Sequence, residues 1–238
     1  MELATNIFLL LLGISILVWG ANKFVDHASV IAKHMGISDL VIGLTLIAFG
    51  TSAPEIFVGI SSIINQNEEI ALGTAIGSNI SNIALIFGVS CLYLTGPSKT
   101  QLWNLLPFGL SVALLGLTLA DGSISFNESM GFVGILMIFM FVLFKTDGLT
   151  EEDSADSNEF GRSLFMSLIG LITLIAGANI AVIYAENTAL LLGVPKLIIG
   201  LTIIALGTSL PELAATVVAL RKGRHQMVVG NIIGSNVF

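Results

Sequence analysis

The hexapeptide GTSAPE at residues 50–55 returns as GTSLPE at residues 207–212, each copy in the middle of an apolar stretch. The 157-residue spacing that separates Gly43-Leu44-Thr45 from Gly200-Leu201-Thr202 also pairs Ala48 with Ala205 and Gly73 with Gly230. Without a gap it pairs Ile76-Gly77-Ser78-Asn79 with Ile233-Gly234-Ser235-Asn236, Gly20-Ala21-Asn22 with Gly177-Ala178-Asn179, and Gly36 with Gly193. Unrelated apolar helices agree by chance in Leu and Ile. These matches fall on Gly, Pro, Asn, Ser and Glu, so the chain is an internal duplication.

The duplicated unit is built for a bilayer. The 238 residues are 55% hydrophobic and only 11% charged, against about 25% charged in soluble domains, and the mean hydropathy is +0.96. A span needs roughly 20 apolar residues, and stretches of that kind are predicted over 3–31, 40–64, 70–94, 103–120, 126–144, 163–190 and 197–220, with an eighth starting near Met227. The first has no basic region before it, only Glu2, and its residues recur later in the chain, so it is structure rather than a leader. Cys91 is the single cysteine, which leaves no disulfide framework and no zinc spacing.

Five crossings, the first span included, precede its repeat at 163–190, an odd number, so the second copy enters the membrane the other way up. The expected fold is an all-α polytopic transmembrane bundle of two inverted-topology repeats. Such repeats, with helices interrupted at corresponding places, point to a secondary transporter with a midplane site. Residues 1–144 form the first repeat, with five transmembrane helices, and 163–238 the second. Between them, residues 145–162 hold Asp147, Glu151, Glu152, Asp153, Asp156 and Glu159, and read as a solvated acidic linker, with a weak regulatory cation site as the alternative. Loops after odd-numbered spans carry Lys33, Lys99, Lys145, Arg162, Arg221, Lys222 and Arg224, whereas the other side has Lys196 alone. The positive-inside rule then puts the N-terminus outside and the linker in the cytoplasm. Lys23, Asp26 and His27 sit near a span end, where snorkelling or a local pair is expected.

A proline inside a helix has no N–H to donate and crowds the preceding turn, so Pro54 and Pro211 should leave carbonyls around 48–51 and 205–208 unpaired. Irregular backbone at this depth is tolerated only when it is buried in protein or lines a watery cavity. Glu55 and Glu212 are ionisable groups in mid-membrane, where function is the default and a partner must be named. Inverted symmetry makes each glutamate the partner of the other. Around them the sequence supplies oxygen: Thr51, Ser52, Thr208 and Ser209 from the breaks, then Ser78, Asn79, Asn82, Ser235 and Asn236 from the GSN stretches. Hard cations take oxygen ligands, whereas zinc or copper would call for His or Cys, and His27, His34 and His225 all lie near span ends. Calcium or sodium suits a narrow dry site better than magnesium, which sheds water reluctantly. Two glutamates close together in low dielectric cannot both stay ionised without a cation between them, so calcium, several sodium ions, or protons compete for one pair of acids. Gly73, Gly77, Gly230 and Gly234 are expected to give close helix approach as well.

GLTLIAFGTSAPE followed by GTAIGSNISN resembles the first α-repeat of the sodium/calcium exchangers, within the calcium/cation antiporter superfamily, and GLTIIALGTSLPE with GNIIGSNVF resembles the second. These α-repeats cover 40–94 and 197–238. The resemblance implies ten helices, about seven and a half of which are present here, so the family's last two helices are expected to be absent, the second repeat truncated and the sequence incomplete. It implies an ion-binding core in which Glu55 and Glu212 are central ligands for calcium and sodium, completed by Thr51, Ser52, Thr208, Ser209, Ser78, Ser235 and Asn82, with the backbone carbonyls of Ala48 and Ala205 assisting. Residue 239, the counterpart of Asn82, lies beyond the sequence. The implied activity is exchange of sodium for calcium by alternating access; a proton/calcium or potassium-dependent exchanger is the runner-up.

From a different class, a membrane aspartyl protease also uses paired acids to activate water. That chemistry is built from aspartates, and the Asp residues here lie near span ends or in loops. A gated channel needs a continuous pore, which a single-chain inverted repeat does not favour. No enzymatic activity, cofactor or nucleic-acid partner is expected. The expected partners are calcium and sodium ions and the lipid bilayer, for a monomeric transport unit in a prokaryotic plasma membrane.

Overall fold

The computed structural model describes residues 2–66, 68–93, 106–118, 125–146, 157–199, 202–203 and 205–238, and the regular structure among them is helical. Helices α1 (Glu2–His34) and α7 (Ser157–Leu191), the first helix of each repeat, make the most extensive helix pair. They run antiparallel, since Gly13 meets Ala181 while Gly170 meets Phe24. A Cβ on Gly20 would overlap the backbone of Leu174, and one on Gly177 would overlap that of Leu17. The repeat offset pairs Gly20 with Gly177 and Leu17 with Leu174, so the contact is reciprocal and the local two-fold axis passes between these helices. Small residues bring helices close where lipid offers no hydrophobic drive to associate.

Both first helices stop the same way. Gly36 (φ 63°) and Gly193 (φ 79°) take the left-handed conformation, and the amides beyond them reach back, Ile37 N–H to the Ala32 carbonyl at 2.9 Å and Val194 N–H to that of Ala189 at 3.0 Å. This is the glycine-closed helix end, with the carbonyls of the last turn satisfied. Ser38 then caps α2 (Asp39–Thr51), its hydroxyl accepting the Val41 N–H at 3.2 Å. Helix α2 widens into a π-helical stretch over Gly43–Ile47, and α3 (Ala53–Ile64) leaves it at 46°.

Helix α4 (Glu68–Ser81) continues through a second π-helical stretch (Asn82–Phe87) into a last turn (Gly88–Cys91). Helices α5 (Leu106–Thr118) and α6 (Phe126–Thr146) complete the first half. In the second half α8 (Lys196–Ile199), α9 (Ala205–Gly207), α10 (Leu210–Arg221) and α11 (His225–Val237) follow α7. The buried core, with Leu17, Phe24, Ile47, Leu174, Val218 and Met227, lies among α1, α2, α7, α10 and α11. Phe8, Phe57, Phe141 and Phe165 point outward and are exposed. An apolar exterior over spans of 33, 33 and 21 residues marks an integral membrane protein.

One boundary differs from expectation. Lys145 and Thr146 close α6, and Ser157–Arg162 form the first turns of α7, so helix extends into both ends of the 145–162 stretch. Charged residues extend a helix into water readily, and Glu159 in the first turn suits the positive end of the helix dipole. The acidic residues 147–156 lie outside the described residues.

Candidate functional site

The two breaks have one geometry. Ser52 (φ −81°, ψ 1°) and Ser209 (φ −87°, ψ 6°) occupy the same sparsely used backbone region, and Pro54 and Pro211 fall in the first turn of the helix that follows. There a missing N–H costs nothing to the new helix. The effect falls on the old one, since proline cannot donate to the carbonyl four residues earlier, Gly50 or Gly207. The expectation of free carbonyls over 48–51 needs correction at Ala48. Its oxygen accepts the Ser52 N–H at 3.0 Å and the Thr51 hydroxyl at 3.3 Å.

The breaks bring the two glutamates together. Glu55 and Glu212 are close enough to interact electrostatically across the repeat interface, and the Ser52 hydroxyl donates to Glu212 Oε1 at 3.0 Å. Glu212 is 1% exposed and Ser52 5%, which makes this a buried bond between halves. Its symmetry mate, Ser209 to Glu55, is not made: Ser209 Oγ and both Glu55 carboxylate oxygens are buried without a hydrogen-bond partner.

Those atoms belong to a larger set. Glu212 Oε2, Asn82 Oδ1, Ser235 Oγ, Asn79 Oδ1 and Asn236 Oδ1 are also buried and unpartnered. They lie on α4 with its π-helical stretch, α10 and α11, elements that pack on one another; α10 and α11 also pack on the α2 break, and α4 packs on α3. Asn79 and Asn236 are oriented alike, each donating Nδ2 to the carbonyl four residues back, Ala75 at 2.9 Å and Ile232 at 2.6 Å. Buried polar groups are normally satisfied, and a concentration of bare oxygens suits a hard cation.

Other expected residues stand differently. Thr51 is fully buried and Thr208 half-buried. Ser78 donates its proton to the Ala75 carbonyl at 3.1 Å and is only half-buried. Ala205 opens α9, and its side chain lies outside the described residues. Gly230 and Gly234 do pack closely: a Cβ on either would come within 2.5 Å of Leu40 O or of Ala48 Cβ. Gly73 and Gly77 have nothing within 4 Å, so the expected close approach is absent there. Among the described residues the halves are arranged unequally, with α11 seated on α2 while Gly73 and Gly77 of α4 stand clear; residues 200 and 201, the repeat counterparts of the Gly43 and Leu44 that meet Gly230, lie outside the described residues.

Sequence reasoning missed Ser81, Thr216 and Asn231. Ser81 Oγ is buried and bare beside the Asn82 it precedes. Asn231 and Thr216 are 2% and 1% exposed; the four-residue spacing of Asn231 to Ser235 puts both on one face of α11 and was the available signal. Near the ends of the spans, Lys23 lies over the Trp19 ring at 5.9 Å, His27 contacts the Ser163 hydroxyl at 3.3 Å, and His34 stacks on Phe160 at 4.6 Å.

The sodium/calcium exchanger protein family model matches residues 5–146 and 162–238. The putative antiporter CaxA of Alkalimonas amylolytica is 37% identical over 99% of this chain and 77% of its own length. The sodium/calcium exchanger MaX1 of Methanosarcina acetivorans is 34% identical over 99% of this chain and 80% of its own. A solved structure of the sodium-calcium exchanger NCX_Mj superimposes with a TM-score of 0.87 at 31% identity, over 99% of this chain and 79% of that one. These matches run through both repeats, with both proline-broken helices and both glutamates inside them, and the chain belongs to the sodium/calcium exchanger protein family.

Proposed function

We propose that the protein is a secondary active antiporter exchanging sodium for calcium by alternating access, with the ions held mid-membrane between the two breaks. The observation that carries this reading is the set of buried, unpartnered oxygens around Glu55 and Glu212. Each costs about 1–3 kcal/mol while unmet, and calcium takes roughly six to eight such ligands. Glu55 and Glu212 supply charge, with Thr51, Ser52, Thr208, Ser209, Asn82 and Ser235 as neutral donors. The Ala48 carbonyl joins when the Thr51 hydroxyl turns from it, which frees one of the two lone pairs that Ser52 N–H and Thr51 now share. Ala205 serves likewise, and Ser78 joins when its hydroxyl turns from Ala75. Only ion-compensated states can cross, because an uncompensated pair of buried acids is too costly to occlude.

The unequal halves correspond to one closed side and one accessible side. Where α11 seats on α2, Arg224 reaches both carboxylate oxygens of Asp39 at 3.2 Å, and Lys222 meets Asp26 at 2.5 Å. The repeat offset replaces these pairs by Asn67 with Lys196 and Asn65 with Ile183, which cannot form ion pairs. Lys33, Arg162, Arg221, Lys222 and Arg224 put the closed side in the cytoplasm. The N-terminus is then outside, the 145–162 stretch cytoplasmic, and the membrane a prokaryotic plasma membrane. Residues 1–144 and 163–238 act as the two inverted units, and a single chain is the transport unit.

The bare oxygens of Glu55 would also accept protons, which favours a proton/calcium exchanger as second reading; a potassium-dependent variant uses the same cage. Calcium uptake into proteoliposomes under an imposed sodium gradient, then under a pH gradient, separates them. Uptake driven by sodium and lost in both Glu55→Gln and Glu212→Gln is expected. Unchanged uptake in those two variants would overturn the site.

A further inference from the structure

The asparagines with buried amide oxygens fall into two classes. Asn79, Asn82 and Asn236 each leave Oδ1 without a hydrogen-bond partner. In Asn231 both ends of the amide are engaged: Nδ2 donates to Thr216 Oγ1 at 3.0 Å and to the Glu212 carbonyl at 3.4 Å, while Oδ1 accepts from the Thr51 hydroxyl at 3.4 Å. Thr51, Glu212, Thr216 and Asn231 are 0%, 1%, 1% and 2% exposed. One amide thus joins the first break, the helix carrying Glu212 and α11.

We propose that Asn231 is a positioning residue of the cation site, which holds Glu212 and Thr51 in ligating geometry without itself ligating the ion. This rests on the exchanger reading above. Asn231 fixes the main chain at Glu212, and Thr216, one turn further along α10, fixes the amide. The one Thr51 proton is shared between the Ala48 carbonyl at 3.3 Å and Asn231 Oδ1 at 3.4 Å, and this pair of acceptors leaves the hydroxyl's lone pairs for the cage. Groups that orient ligands in this way act on affinity more than on turnover.

The bridge exists in one half only. The repeat offset puts Thr74 opposite Asn231 and Gly59 opposite Thr216, and a glycine offers no hydroxyl. Nothing lies within 4 Å of a Cβ built on Gly59. Glu212 is accordingly the fixed wall of the cage and Glu55 its movable member.

The test uses the purified protein, with calcium chloride titrated against thermal unfolding and calcium uptake measured in proteoliposomes. Asn231→Ala should raise the calcium half-saturation by about 10- to 100-fold with the maximal uptake rate kept within about threefold. Thr51→Ala combined with Asn231→Ala should cost less than the product of the two single effects, because part of each is the loss of one shared linkage. Asn231→Ala protein with wild-type calcium half-saturation, or a double variant whose effects multiply, overturns the assignment. If Asn231→Ala fails to fold, Thr216→Val carries the same expectation, since it removes the hydroxyl that fixes the amide. Wild-type protein that neither shifts with calcium nor transports it would overturn the exchanger reading, whereas wild-type binding retained in full by both variants overturns this assignment alone.

Discussion

Around Glu212 the chain is closed. Ser52 bonds its carboxylate, Asn231 holds its carbonyl, and α11 lies so tightly on α2 that Gly230 and Gly234 have no room for a Cβ. Around Glu55, its partner by the repeat, the same residue types stand apart: the carboxylate and Ser209 are unbonded, and Gly73 and Gly77 face open space. Two segments of nearly the same sequence therefore exist in two arrangements within one molecule. In the alternating-access cycle proposed above, exchanging the arrangements between halves would turn a site open to one side into a site open to the other.

Removing each acid in turn tests the inequality of the halves most severely. Glu212→Gln and Glu55→Gln should each lower calcium transport by at least about 100-fold, the consequence of losing roughly 3 kcal/mol of charge-assisted binding, as measured by isotope flux. If one half alone did the chemistry, one of the two would transport normally.

Next come the glycines. Gly230→Ala should destabilise the purified protein by about 1–3 kcal/mol, the cost of forcing extra atoms into a packed contact, whereas Gly73→Ala should leave its thermal unfolding unchanged. If the halves do exchange arrangements, Gly73→Ala slows transport all the same, because the opposite state needs that contact. Equal thermal effects of the two would show that the halves are packed alike.

A smaller effect is expected at the ion pairs. Arg224–Asp39 and Lys222–Asp26 are partly exposed, so each is worth about 0–1 kcal/mol and weakens with salt. Asp39→Asn should move the balance between the two access states by no more than about fivefold, read from accessibility of cysteines introduced on either side. A shift that survives high salt would mean that packing, not charge, closes this side.

The smallest concerns a turn. Gln66 has φ 59°, and the repeat offset pairs it with Gly223 at φ 71°. The backbone is the same, but only one copy has the residue that adopts it freely. Gln66→Gly should raise stability by about 0.5–1 kcal/mol with transport unchanged, as followed by thermal unfolding.

Much of this was legible beforehand. Pro54 and Pro211 break spans because proline lacks an N–H, an effect that is local and needs no partner; Gly36 and Gly193 were legible only as a repeat pair, and their left-handed helix ends came from the structure. The oxygen-rich surroundings of Glu55 and Glu212 were readable for a similar reason, since apolar depth makes every polar side chain conspicuous. Asn231 was readable only as a residue on the same face of α11 as Ser235, not in its role. Its role depends on Thr51, 180 residues away, and nothing local to α11 separates it from Asn236, whose oxygen is bare.

Local chain chemistry was enough to specify the duplication, the opposed orientation of the halves, the two breaks and the oxygen-rich character of the site, because periodicity, hydropathy and backbone preference act within a few turns of chain. Part of the inequality of the halves is written in the sequence, where Asn231 and Thr216 stand opposite Thr74 and Gly59; the rest came from packing, which decided which glycines are in contact and which serine finds its glutamate. Those outcomes depend on how two nearly equivalent surfaces divide a limited set of contacts, and a repeat cannot encode that division in one copy alone.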